Sequence, residues 1–560
     1  MSSFDSAAHA RAMRAGGFWP DRSFDEFLAE AIARTPDKLA LVADRADRPA
    51  ARRISYSELG DLVARAAAAL RSLDIGSGDV VAVQLPNWWE FVVTALACGR
   101  IGAVVNPLMP IFRERELGFM LGFAEASLLV VPKLFRGFDH EAMAASLRAG
   151  LPTLKHVVVV DGEGTNGFDR CLLRGSARVE AAASSAAAAL KPDALAVLMF
   201  TSGTTGSPKG VMHTSNTLVA CNNALAGRFG LVPDDVLLAC SPLGHMTGYA
   251  AVMKLGLRLG ATVVLQDVWD VQRGVALMVA EGVTFTAAST PFLSDICNAV
   301  AGGAPRPRQL RSFLCGGAPI PPVLIEGAAH ELDLKVCSLW GMTESLSSTL
   351  TEPSRAAEKS SRTDGRALEG VEVMIADLGG RRLPSGETGR LLVRGAQMFM
   401  GYYMRPDIQT FDAEGWFDTG DLAWMDDEGY IRINGRTKDV LIRGGENVPV
   451  VEIEGLLHKH PAVAAAAVVG YPDARLGERA CAFVMLRPGA SIDLADVQAY
   501  MAECKVAKQY WPERVEVLTQ LPCTPSGKIQ KFKLREIVAA SAGAPGAAGE
   551  NTKAGAYILR

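Results

Sequence analysis

The sequence predicts an α/β protein with a large N-terminal domain of stacked α/β subdomains, a β-rich subdomain at its end, and a small α+β C-terminal domain. Three observations carry this. Between residues 80 and 315, short apolar runs alternate with helix-length segments, the pattern of a largely parallel sheet covered by helices. Near Gly370 the runs crowd together with turn signals between them. From Lys438 a compact mixed pattern begins. A chain of 560 residues also exceeds what one core fills. The expected domains are 1–437, 438–540 and a disordered tail, 541–560, rich in Ala and Gly.

The elements follow in order. Residues 24–33 have the spacing of an amphipathic helix. Residues 80–85 read as a strand and 88–100 as a helix; 127–131 and 156–160 are short β-rich runs. Residues 195–200 read as a buried strand, and 181–189, nearly all alanine, as a surface helix or linker. Further strands are expected at 236–239, 261–265, 283–287 and 312–315. Beyond Gly370, the runs 371–376, 389–394, 416–424 and 430–433 are separated by Leu-Gly-Gly, Pro-Ser-Gly and Asp-Glu-Gly turns. In the last domain, 452–458 reads as helix, and 464–469 and 480–486 as strands.

Composition excludes several classes. A net charge of −4 argues against nucleic acid or an anionic membrane as the main partner. Ten cysteines are scattered without a Cys-x-x-Cys pair or zinc spacing, which predicts buried thiols in a reducing cytoplasm. No basic start precedes an apolar segment, so no signal peptide is expected. No apolar run nears the roughly 18 residues of a membrane helix; the region 88–105 is broken by Glu90 and Arg100.

The stretch 200–210 reads Phe-Thr-Ser-Gly-Thr-Thr-Gly-Ser-Pro-Lys-Gly. Glycines, hydroxyls, backbone N–H groups and Lys209 can converge on a polyphosphate. Taken alone, the stretch is better explained as a solvated turn between strand and helix. It is not a Walker A loop, because Pro208 precedes Lys209 and Gly210 follows it. Residues 162–167 satisfy G-x-G-x-x-G after a strand, but no good helix starts on those glycines, so they are set aside as a dinucleotide site.

Further strings change that balance. They are Ser241-Pro242-Leu243-Gly244-His245-Met246-Thr247-Gly248, Gly316-Gly317-Ala318-Pro319, Trp340-Gly341-Met342-Thr343-Glu344 and Thr419-Gly420-Asp421. Then come Gly435-Arg436-Thr437-Lys438-Asp439 with Gly444-Gly445-Glu446-Asn447, and Pro525-Ser526-Gly527-Lys528. In this order, over residues ~20 to ~540, the chain resembles the adenylate-forming superfamily of acyl-CoA synthetases, peptide-synthetase adenylation domains and beetle luciferases.

The resemblance implies ATP, Mg²⁺ and coenzyme A, and a carboxylic acid as substrate. Thr201, Ser202, Gly203, Thr204, Thr205 and Lys209 would hold the β- and γ-phosphates. Glu344 would bind Mg²⁺, a hard cation that takes oxygen ligands. Thr343 would donate to the α-phosphate; Gly341 and Met342 belong to the same string. Asp421 would accept both ribose hydroxyls, and Arg436 would assist at ribose or phosphate. Gly316, Gly317 and Ala318 would let backbone approach adenine, with Trp340 stacking where many relatives carry Tyr. Lys528 would neutralise charge in the displacement. Lys438 would be the hinge of a mobile C-terminal domain, and Arg443, Gly444, Gly445 and Glu446 would line the CoA tunnel.

His245 would gate the acyl pocket, lined by Met246, Thr247, Tyr249, Phe292 and Leu346. No Lys or Arg is seen there for a second carboxylate. A neutral alicyclic, aromatic or medium-chain acid is therefore expected, and the whole chain, including Gly17-Phe18-Trp19-Pro20, looks most like cyclohexanecarboxylate–CoA ligases. Carrier-protein loading, a luciferase-type oxygenase and a non-catalytic nucleotide sensor are the alternatives. Pro522 with Gly527-Lys528 fits a pattern that acetyltransferases recognise in relatives, so an acetyltransferase and a deacetylase acting on Lys528 are expected partners. A monomer or homodimer is expected.

Overall fold

The computed structural model describes residues 4–174, 191–201, 208–317, 320–436, 441–443, 446–448, 450–473, 475–523 and 529–542; of Arg436, Ile442, Glu446, Asn447, Gly477, Ser541 and Ala542 it describes the backbone path only. The chain divides into two compact units, Met1–Thr419 with Ala423–Ile433, and Gly420–Leu422 with Asn434–Arg560. The alanine run 181–189 and residues 543–560 lie outside the described residues; the helix Lys531–Ala542 enters the stretch expected to be a disordered tail.

The first unit holds two large sheets. In the nine-stranded sheet the order is Arg366–Ala367, Leu346–Leu350, Lys335–Met342, Ser312–Gly316, Phe285–Ala288, Val236–Ala239, Thr262–Gln266, Leu39–Asp44, Arg52–Ser55. Its middle is parallel, and Leu346–Leu350 and Arg52–Ser55 run antiparallel to their inner neighbours. The six-stranded sheet runs Lys209–Thr214, Leu195–Thr201, Val104–Pro107, Val80–Val83, Leu128–Pro132, His156–Val160. Side chains alternate across each strand. Leu237 and Ala239 therefore enter the core shared with the six-stranded sheet, while Leu238 enters a second core on the other face. The helix Trp89–Ile101 is buried along nearly its whole length, as its unbroken apolar run requires.

One departure from the sequence reading matters for the site. The apolar strand Leu195–Thr201 is followed by a second strand, Lys209–Thr214, antiparallel to it, with Lys209 opposite Thr201. The helix Ser215–Phe229 begins only after that strand, capped by Thr214 and Thr217. The strands Leu195–Thr201 and Lys209–Thr214 are thus the two arms of a hairpin.

The N-terminal arm straps this unit. The Trp19 indole N–H donates to the Ala396 carbonyl at 2.7 Å. Phe18 lies on Gly370 and Phe4 on Gly415, each so close that a Cβ on the glycine would crowd the ring. Arg14 pairs with Asp21 at 2.7 Å and with Asp193, and the Asn216 amide donates to both aspartates at 2.8 Å. The crowded strands past Gly370 form a four-stranded sheet, Val371–Ala376, Gly389–Gly395, Phe417–Met425 and Ile431–Arg436.

The second unit has a five-stranded sheet. The long hairpin Val463–Asp473/Gly477–Leu486 is flanked by Leu441–Arg443, Glu446–Val448 and a parallel strand, Arg514–Val517. Val468 faces one small core and Val469 another, closed by the helix Lys531–Ala542. Among the described residues, no helix is long and apolar enough to cross a membrane.

Candidate active site

The strand Lys335–Met342 turns back into Leu346–Leu350 with a bulge between Trp340 and Gly341. A Cβ on Gly341 would overlap the Leu346 carbonyl oxygen, so only glycine fits. Leu346 is held at φ +52, left-handed backbone that a leucine adopts at a cost of about 1–3 kcal/mol. The tight turn presents Thr343 and Glu344.

Glu344 is 6% exposed. Its Oε1 accepts from the Tyr402 hydroxyl at 2.9 Å, and its carbonyl accepts from the Phe399 N–H at 2.9 Å. The Thr343 carbonyl accepts from His213 Nε2 at 2.7 Å. A carbonyl only accepts, so that bond fixes the tautomer, and Nδ1 receives the Thr217 hydroxyl at 3.1 Å. Burial pushes the His213 imidazole down to about 4, keeping it neutral at neutral pH.

Residues 400–403 run beside the strand Lys209–Thr214. Met400 N–H donates to the Met212 carbonyl (2.9 Å), Met212 N–H to Gly401 (3.2 Å) and Tyr403 N–H to Gly210 (2.8 Å). This pairing lays the Tyr402 ring 4.6 Å from Lys209 Nζ. Lys209 and Glu344, more than a hundred residues apart, thus meet around one tyrosine. Ser202, Gly203, Thr204 and Thr205 lie outside the described residues, while Thr201 and Lys209 mark where their loop starts and ends.

Gly316 ends the strand Ser312–Gly316, and Gly317 follows at φ +92; Ala318 lies outside the described residues. Trp340 is 8% exposed and pairs across the hairpin with Thr349. Asp421 is 5% exposed on the strand Phe417–Met425. Two residues earlier, the buried Thr419 hydroxyl donates to the Leu391 carbonyl at 2.8 Å. Arg436 ends the strand Ile431–Arg436.

The loop with His245 is held by a residue the sequence did not reveal. Asn87, buried, donates through its amide to the carbonyls of Ala239 (3.0 Å), Ser241 (3.0 Å) and Gln266 (3.1 Å), and accepts the Leu243 N–H at 2.8 Å. His245 then caps a helical turn, Met246–Gly248, its Nδ1 accepting from the Thr247 N–H at 3.3 Å. A Cβ on Gly248 would overlap the Ser241 and Pro242 carbonyls, so the turn folds tightly over its own approach.

Met246, Tyr249 and Leu346 share one core. Tyr249 is fully buried, edge-on to Phe91 at 6.3 Å. Phe292 does not join them. Its ring packs on Trp269 at 5.0 Å, in the core on the other face of the nine-stranded sheet, because Leu293 and Ile296 fix the helix Thr290–Ala301 there. A cation was also missed. Lys254 is buried, its ammonium 4.3 Å from the Phe24 ring and 5.4 Å from Tyr249. Burial pushes the amine down to about 7. The cavity it shares with Tyr249, Ser23 and Ser215 measures about 20 Å³, room for about one water.

In the second unit, Arg443 donates to the Gln509 carbonyl (2.7 Å) and to Glu513 (2.6 Å), so its guanidinium is tied into that unit's own frame. Glu446 lies on the adjacent strand, and Gly444, Gly445, Lys438 and Lys528 lie outside the described residues.

Residues 28–403 match the AMP-binding enzymes, and residues 452–528 match the C-terminal domain of the same enzymes. The chain belongs to the AMP-binding enzyme family. A medium-chain fatty-acid–CoA ligase of Escherichia coli (strain K12) is 37% identical over 528 residues, covering 94% of this chain and 92% of its own. A salicyl-AMP ligase / salicyl-S-ArCP synthetase of Mycobacterium tuberculosis is 36% identical over 534 residues, with coverages of 94% and 92%. The crystal structure of ATP-bound MatB from Rhodopseudomonas palustris superposes with a TM-score of 0.79 at 29% identity, covering 92% of this chain and 99% of that one. The expected class, an ATP-dependent, AMP-forming acyl-CoA synthetase, stands with this membership.

For this AMP-binding enzyme, Mg²⁺ can be weighed against Glu344. The carboxylate is buried and has one oxygen fixed by Tyr402. Among the described residues no cluster of three or more His, Cys, Asp or Glu could hold a metal by itself. A cation at Glu344 would draw its remaining oxygens from phosphate and water, the habit of Mg²⁺.

Proposed function

We propose that the protein joins a neutral monocarboxylic acid to coenzyme A, with alicyclic, aromatic or medium-chain acids as the class and cyclohexanecarboxylate as the first candidate. The observation that carries this reading is the composition of the acyl side. Met246, Tyr249 and Leu346 all lie in the large apolar core of the first unit, Met246 and Tyr249 just after His245 along the chain, and the buried Lys254 on the same helical stretch faces a cavity with room for about one water. A second substrate carboxylate would find no room at that amine. The acids in the two relatives' names, a medium-chain fatty acid and salicylate, are both monocarboxylic.

In the first half-reaction, an oxygen of the acid attacks the α-phosphorus of ATP and pyrophosphate leaves. Thr201, Ser202, Gly203, Thr204, Thr205 and Lys209 hold the β- and γ-phosphates. Thr343, on the turn that His213 fixes, donates to the α-phosphate. Glu344 holds Mg²⁺, which supplies charge neutralisation on the phosphate oxygens when bound. Asp421, a buried acceptor, takes the ribose hydroxyls, with Arg436 beside ribose or phosphate. Gly316, Gly317, Ala318 and Trp340 receive adenine. Lys528 balances the charge that builds at the carboxylate and α-phosphate. In the second half, the CoA sulfur attacks the acyl carbon and AMP leaves. The reading places the domain boundary at 437/438, with Lys438 as hinge, and the CoA path along Arg443 to Glu446. Acetylation of Lys528 would remove its charge and stop the first half-reaction.

The test is AMP release, with and without CoA, across cyclohexanecarboxylate, cyclohexenecarboxylates, benzoate, C4 to C12 fatty acids and dicarboxylates. At least one neutral acid should exceed every dicarboxylate by tenfold or more in kcat/KM, about 1.4 kcal/mol. Pyrophosphate exchange without CoA-stimulated turnover would instead support loading of a carrier protein, the second reading, which the salicyl-S-ArCP synthetase relative favours.

A further inference from the structure

Tyr402 touches two charged side chains of the phosphate side, Glu344 and Lys209. Its hydroxyl donates to Glu344 Oε1 at 2.9 Å and its ring carries Lys209 Nζ at 4.6 Å. Its own position is set by backbone. Gly401 and Tyr403, on either side of it, are bonded to Met212 and Gly210, and an isolated bridge joins Tyr402 to Val211. A phenol so held cannot follow a wandering carboxylate; the carboxylate must come to it. The Glu344 carboxylate has two oxygens, and the hydroxyl occupies one side of Oε1, which limits the ways the group can turn. A hydrogen bond to a metal-binding carboxylate is a recurrent means of aiming it, and its loss costs about 10–100-fold in metal affinity. On the other side, a ring face favours an ammonium placed over it, which holds Lys209 in place beside the phosphate loop.

We infer that Tyr402 is a positioning residue for the nucleotide–metal complex: its hydroxyl aims Glu344 at the metal while its ring steadies Lys209 toward the phosphates. The inference rests on the reading of Glu344 as the Mg²⁺-binding carboxylate. Tyr402 acts through these two side chains and has no part in bond making.

The test uses the full chain and α,β-methylene-ATP, whose affinity is measured by calorimetry with and without Mn²⁺. The ratio of the two affinities is the metal's contribution. Tyr402→Phe keeps the ring under Lys209 and removes the hydroxyl. It should leave metal-free affinity within twofold and cut the Mn²⁺ contribution by about tenfold. Glu344→Gln should cut it at least as far, and the double variant should match Glu344→Gln within twofold, because the phenol works through the carboxylate. In turnover, Tyr402→Phe should raise the Mg²⁺ concentration for half-maximal rate, with kcat recovering at saturating Mg²⁺ and the acid KM unchanged. General loosening of the fold would not spare the metal-free affinity and the acid KM together. If Glu344→Gln abolishes the Mn²⁺ contribution and Tyr402→Phe does not change it, or if the two effects add in the double variant, the role of Tyr402 is overturned. If Glu344→Gln itself leaves the contribution intact, the fault lies in the assignment of Glu344, and this inference goes with it.

Discussion

Around Glu344 the first unit is organised by polar bonds between side chains: Tyr402 to the carboxylate, His213 to the Thr343 carbonyl, Lys209 over the ring. Around His245 it is organised by backbone pressed on backbone, with Asn87 tying together strand ends and loop. The two sides meet different demands. Phosphate and metal recognition needs charges aimed to within fractions of an ångström. Recognition of a neutral acid needs a wall of fixed shape. A disturbance of the phosphate side should therefore show in the nucleotide chemistry, and one of the acyl side in the acid KM.

The largest effect is expected where backbone packing holds the turn that carries Glu344. Gly341→Ala puts a methyl where the Leu346 carbonyl stands. The hairpin must open, at a cost of about 3 kcal/mol or more. Displacing Glu344 by about 1 Å should lower pyrophosphate exchange by roughly 100-fold. Exchange within tenfold of wild type would mean that the turn yields and that its shape is not what aims Glu344.

A smaller effect is expected from Asn87→Ala. Three backbone carbonyls and one N–H lose a buried partner, costing about 2–4 kcal/mol of stability. The acid KM should rise several-fold while the ATP KM stays within twofold. Equal rises in both would erase the distinction between the two sides.

The smallest effect is seen through pH. The folded-state pKa of His213, about 4, lies below the ordinary histidine value. Between about pH 6.5 and 4 the unfolded chain binds a proton that the folded chain refuses. Stability is therefore full above that window and falls as pH drops through it, by up to about 1.4 kcal/mol per pH unit. Gln at 213 can still donate to the Thr343 carbonyl but does not titrate. Melting temperatures at pH 7 and pH 5 should fall less for His213→Gln than for wild type. His140, also pushed down to about 4 by burial, is present in both proteins and cancels from the difference. Equal slopes would remove His213 from the account.

The sequence was legible where chemistry is local. Strands such as Val236–Ala239 and His156–Val160 are short apolar runs, and their bounds were readable to the residue. The phosphate-side strings were readable because glycine, hydroxyl and charge sit next to each other. The hairpin after Thr201 was not, because a run of glycine, proline and hydroxyl residues between an apolar strand and a lysine resembles a strand-to-helix turn as much as a strand-to-strand one; only the pairing of Lys209 with Thr201 decides. Asn87 left no local trace, since its partners lie some 150 to 180 residues downstream and are backbone atoms of any residue type. Phe292 was drawn to the acyl side by the resemblance, and the packing of its helix through Leu293 and Ile296 turns its ring to Trp269 in the core on the other face of the sheet. Tyr402 sits in Gly-Tyr-Tyr-Met, a string with no chemical flag until Lys209 and Glu344 are seen on either side of it.

The N-terminal arm bears on how the gene can be cut. The family match begins at residue 28, and a gene trimmed to that start would encode every residue assigned to the chemistry. It would lack Trp19, Phe18, Phe4 and Arg14, leaving the Ala396 carbonyl, the backbone at Gly370 and Gly415, and the Asp193–Asn216 pair without their covers. Such a product would fail as a matter of yield and solubility, and would be mistaken for an enzyme with no substrate. Where the gene can be cut is set by an aromatic strap that lies ahead of the segment the family match spans.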